Sequence, residues 1–82
     1  MMLLADGFEL AIMGHVEQNN GSRVVCYNRE ACIRILEDRD GMTSDEAEEF
    51  FVFNVEGSYM GEHTPIYLHT ANVEEIHELA GA

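Results

Sequence analysis

Phe8, Leu10, Ile12, Gly14 and Val16 alternate with Glu9, Ala11, Met13, His15 and Glu17. That is the period of a half-buried strand, and it predicts a first strand over Phe8 to Glu17. The Asn20-Gly21 pair that follows suits a tight hairpin turn, and Arg23 to Tyr27 reads as the returning strand. A two-residue loop would set Val16 opposite Val25, Gly14 opposite Tyr27 and His15 opposite Cys26. From Asn28 the period changes to helical. Ala31, Cys32, Ile33, Ile35 and Leu36 sweep one arc, Asn28 caps the start, and Gly41 supplies a left-handed end after Asp40.

Thr43 and Glu46 then form a capping box, opening a second helix with Ala47, Phe50, Phe51, Asn54 and Val55 on its inner face and an end near Gly57. Ser58 to Thr64 reads as a loop, and Pro65 to His69 as a short third strand with proline at its start. Asn72 and Glu75 form another capping box before Val73, Ile76 and Leu79. The expectation is therefore one α+β domain over residues 1–82, in the order β-β-α-α-β-α. Its small, mostly antiparallel three-stranded sheet packs against two helices, on the face bearing Phe8, Leu10 and Ile12. The other sheet face, with Ala11, Met13, Val24 and Cys26, is too apolar for water alone. Either the C-terminal helix folds over it or a second subunit does, and a homodimer is the favoured expectation.

Charge changes this picture most. Sixteen acids face four bases, all arginine, for a net charge of −12. Seven acids and the four arginines fall in residues 1–41 and nine acids with no base in 42–82, so the two parts carry −3 and −9. A field of this sign repels nucleic-acid phosphates and anionic membranes and attracts basic partners, so a protein partner is expected and direct nucleic-acid binding is not. It also serves solubility. The start, MMLLADGFEL, lacks the basic and apolar segments of a secretory signal, and no run is long enough to span a bilayer, so a cytoplasmic protein is expected.

The stretch RDGMTSDEAEEFFVFNVEGSYMGEHTPIY, residues 39–67, resembles a pattern in small uncharacterised proteins encoded by tailed bacteriophages. The shared features are a helix ending in Gly-Met-Ser/Thr, an acidic Glu-Ala helix with aromatics, then Asn-Val, Gly, an aromatic, Gly-Glu and Thr-Pro before a strand. The resemblance implies a viral origin and carries no reaction, cofactor or ligand.

Candidate chemistry is sparse. The expected His15 and Cys26 neighbours could make a thiolate–imidazole pair, but no orienting third group or cleft accompanies them, and an ordinary sheet-surface pair is the expected reading. Cys26-x5-Cys32 is not a usual zinc spacing and no H-x3-5-H motif occurs, so no metal and no cofactor is expected, and both thiols should be reduced. His77 borders the apolar side of the last helix. Two binding candidates remain. Asp45, Glu46, Glu48, Glu49 and Glu56 form an acidic helix face, with Glu48 and Glu49 at its centre, that could imitate spaced phosphates or simply be solvated. The Ser58 to Thr64 loop offers Tyr59 and His63 as contact residues. The function expected is non-enzymatic binding of a host or viral protein, the alternative being a structural component acting through homo-oligomerisation.

Overall fold

Caps written into the sequence start each described α-helix of the chain, whose computed structural model describes residues 1–81. The elements are β1 (Ile12–Glu17), β2 (Arg23–Asn28), α1 (Arg29–Asp40), α2 (Ser44–Phe51), β3 (Ile66–Leu68) and α3 (Val73–Leu79). This is the expected α+β fold with the expected order. The Asn28 side chain accepts from the Ala31 N–H at 3.0 Å, and Gly41 ends α1 at φ 68°. Both capping boxes form, Thr43 with Glu46 and Asn72 with Glu75.

The three strands lie in the order β1-β2-β3, with β1 antiparallel and β3 parallel to β2. Parallel neighbours need a long crossover, and α1 and α2 supply it between Asn28 and Ile66. Helix packing has filled one sheet face. Phe8, Ala11, Val25, Tyr27, Cys32, Leu36, Ala47 and Phe51 form the buried cluster. Phe51 is at its centre, edge-on to both Phe8 (6.1 Å) and Tyr67 (5.0 Å), and Tyr67 stacks on Tyr27 at 5.6 Å.

Two sequence expectations are corrected in the first hairpin. The expected strand from Phe8 begins only at Ile12, because Glu9–Ala11 is a 3-10 turn. Residues three apart share a side of such a turn, so Phe8 and Ala11 point into the core together, while Leu10 is 94% exposed. The turn beyond β1 is one residue longer than expected: the Gln18 N–H donates to the Ser22 carbonyl, and Gly21, at φ 86°, takes the left-handed position after Asn19-Asn20. Register moves accordingly. Val16 pairs with Val24, His15 with Val25 and Gly14 with Cys26, and a bulge at Met13 shifts the register once more, setting Ile12 opposite Tyr27.

Val24 and Cys26, on the opposite sheet face, are also buried. The C-terminal helix does not seal that face with its apolar stripe, since every α3 residue is exposed, Val73, Ile76 and Leu79 among them. The Cα radius of gyration is 13.8 Å, against about 12 Å for a compact chain of this length. An unpacked terminal helix accounts for the difference in sign.

Candidate functional site

Helix α2 carries more apolar side chains than one face can bury. Phe50, Phe51, Val52 and Phe53 are consecutive, and at 100° per residue four neighbours span most of the circumference. Phe51 and Ala47 take the core positions. The helix then widens into a π-helical turn over Val52–Glu56, closed by the Gly57 N–H donating to the Val52 carbonyl at 3.0 Å. Phe53 is left 75% exposed and Phe50 40% exposed. The expectation that Phe50 and Asn54 lie inward is therefore corrected: both are exposed, and Val55 of the same expected face is only partly buried.

Phe50, Phe53 and Met42 line a groove of about 840 Å³ between the end of α1 and the side of α2. Its remaining lining includes Asp40, Glu46 and Glu49. No base lines it. Asp40 is gripped by Arg39, whose Nε and Nη2 each lie 3.1 Å from a carboxylate oxygen, and this contact holds the Asp40 carboxyl below the usual range. The Glu46 carboxylate accepts the Thr43 N–H at 2.9 Å within the capping box.

The row of acids does not act as one face. Arg29, mostly shielded on α1, forks onto Glu48 and also reaches Glu56, with Nε 3.0 Å from the latter, while its guanidinium lies 5.4 Å from the centre of the Phe51 ring. Hydrogen bonds from Arg29 lower the Glu48 carboxyl, and those two carboxylates raise the guanidinium. Glu48 is thus held by its own chain. The Glu49 side chain makes no hydrogen bond or ion pair among the described residues and opens onto the groove.

Tyr59 and His63 also separate. His63 is half-buried, with Nδ1 3.5 Å from the Arg23 carbonyl oxygen and Nε2 3.5 Å from Glu62, and its own carbonyl accepts the Leu3 N–H. It pins the loop to β2. Thr64 braces the same loop, its hydroxyl donating to the Gly61 carbonyl and accepting the Met60 N–H, both at 2.7 Å. Tyr59 is 79% exposed and lines a shallow hollow of about 510 Å³ with Asn19, Asn20 and Pro65 of the hairpin turn and β3 approach.

The pairing of His15 with Cys26 is overturned by the longer turn: His15 opposes Val25 and lies 3.2 Å from Arg23 Nη1, whereas Cys26 opposes Gly14. Cys32 is fully buried, and loss of water pushes its thiol up to about 11. Among the described residues no group of three or more histidine, cysteine or carboxylate side chains is gathered to hold a metal ion. No described helix is long and apolar enough to cross a membrane. No protein-family model, curated protein or solved structure matches the chain.

The groove aromatics were the residues that reading helix faces missed. Their signal was present in the run Phe50-Phe51-Val52-Phe53, because four consecutive apolar residues cannot share one helix face.

Proposed function

We propose that this chain is a non-enzymatic accessory protein that binds another protein, and that its origin is a tailed bacteriophage and its workplace the host cytoplasm. The viral assignment is supported by the resemblance carried by residues 39–67 alone. The observation that carries the binding reading is the exposure of Phe53, beside Phe50 and Glu49, on the half of the chain that has no base. Exposed aromatics beside unpaired carboxylates bury well only against a partner that is itself apolar and basic. Tyr59 provides a second exposed aromatic on a braced loop.

The test is quantitative affinity capture from host cells with the wild type, Phe53→Ser and Tyr59→Ser. A protein captured by the wild type and depleted by either variant supports the reading; an identical captured set for all three overturns it.

Homo-oligomerisation is the second reading, favoured by the exposed Val73, Ile76 and Leu79 stripe on α3. Native mass spectrometry decides it: a dimer that becomes a monomer in Ile76→Ser supports it, and a monomer throughout removes it.

A further inference from the structure

Resting on the protein-binding reading, we propose that the groove between the end of α1 and the side of α2 is the docking site, and that its occupant is a basic amphipathic segment of the partner. The floor is apolar and adaptable, with two phenyl rings and the Met42 thioether. Carboxylates stand on both sides, Asp40 from α1 and Glu46 and Glu49 from α2. With Asp40 already gripped by Arg39, Glu46 and Glu49 provide most of the attraction for an incoming cation.

Charge selects the class of occupant. A second copy of this chain supplies it poorly, because the chain has no lysine and three of its four arginines already meet carboxylates, Arg23 at Glu17, Arg29 at Glu48 and Glu56, and Arg39 at Asp40, which leaves Arg34 alone. Nucleic acid and anionic lipid are repelled by the same carboxylates. An uncharged apolar segment would leave Glu49 facing hydrocarbon without a partner. A segment with lysine or arginine flanking leucine-like anchors satisfies both the floor and the walls.

Length selects its shape. Glu46, Glu49, Phe50 and Phe53 line one side of α2 and its π-helical turn over eight residues, or roughly 10 Å at helical rise. Two turns of a docked helix cover that distance, placing anchors at i, i+3 or i+4, and i+7. Phe53 is also open enough for a cation to sit over its ring.

The probe is a short synthetic peptide of leucine and lysine in amphipathic helical spacing, titrated into the isotope-labelled full chain and followed by backbone amide shifts. A matched peptide with glutamate for lysine is the control. We expect saturable shifts over residues 40–54 with the basic peptide and none with the acidic one. Phe53→Ser should weaken affinity about tenfold, as for an aromatic anchor, and Glu49→Gln about fivefold. Glu78→Gln on α3 removes the same charge elsewhere and should change nothing. Equal loss from Glu49→Gln and Glu78→Gln with none from Phe53→Ser would reduce the effect to diffuse attraction and overturn the groove. Shifts centred on Tyr59 would also overturn it while leaving the protein-binding reading standing. That broader reading fails separately, on an unchanged captured set for Phe53→Ser and Tyr59→Ser.

Discussion

Arg29 and Glu48 meet end-on as a fork, with Nη1 and Nη2 at 3.2 and 2.5 Å from the two carboxylate oxygens, and this contact joins the first turn of α1 to the middle of α2. The same guanidinium holds Glu56 and covers the Phe51 ring. Arg29→Ala strands two carboxylates and uncovers the ring, and should cost about 2 kcal/mol, between the values for exposed and buried pairs. Arg29→Met keeps the stem on Phe51 and should recover part of that loss. Urea midpoints at unchanged slope measure both.

The same pair makes stability sensitive to acid. Arg29 depresses the folded Glu48 carboxyl below its ordinary 4.5. Its contribution is present above pH 4.5 and is lost as pH falls through the lower, folded value. Wild type should therefore exceed Glu48→Gln in stability at neutral pH, and the gap should close in acid. A gap that stays constant down to the acid limit would remove the ion pair as its cause.

At the alkaline end the buried thiol acts in the opposite direction. Folding raises the Cys32 thiol from 9.0 to about 11, so stability is intact below pH 9 and falls as pH climbs from there through about 11. The loss over that range is about 2–3 kcal/mol. Tyr67, raised by burial from 10.0 to about 12, extends the decline. Denaturation midpoints of wild type and Cys32→Ala should converge as pH rises past 9. A thiol reagent at neutral pH should leave Cys32 unlabelled until the chain unfolds.

Tyr27 ties the N-terminal segment to the core. Its buried hydroxyl oxygen accepts the Ala5 N–H at 2.8 Å. Tyr27→Phe should lose about 1 kcal/mol. Hydrogen exchange at Ala5 should accelerate more than exchange in α1, which separates loss of this tether from general loosening.

Gly57 is required by space rather than by torsion. Its φ of −77° suits any residue, but a Cβ there would lie 2.9 Å from the Val52 carbonyl oxygen. Gly57→Ala must open the π-helical turn and should cost about 1–2 kcal/mol. That corresponds to a melting point lower by about 4–8 °C per kcal/mol. Because the turn carries Phe53, affinity for the basic peptide should fall with it.

How much of this was legible depended on distance along the chain. Asn28 caps α1 three residues away, Thr43 and Glu46 cap each other, and Gly41 ends its own helix, so every helix boundary set by such contacts could be read locally. The groove was half legible: its acids were evident, whereas Phe50 was assigned inward and Phe53 to neither face, because helix periodicity alone does not say which of three phenylalanines the core admits.

The amino-acid sequence by itself determined the fold class, the order of elements, the caps and the anionic half, because each follows from side chains a few residues apart or from summed charge. Only tertiary structure decided the rest. The hairpin register moved by one residue because the turn includes Asn19 as well as Asn20 and Gly21, and Phe8 entered the core through a 3-10 turn rather than a strand. Pairing of β3 parallel to β2 needs a long crossover, which α1 and α2 supply. Glu48 became half of a structural ion pair while Glu49 stayed unpaired, because Arg29, nineteen residues before Glu48 and across a helix interface, reaches Glu48 and Glu56 but not Glu49. Apart from the turn itself, these are choices among contacts remote in sequence, such as the packing of Phe51 against Phe8 and Tyr67.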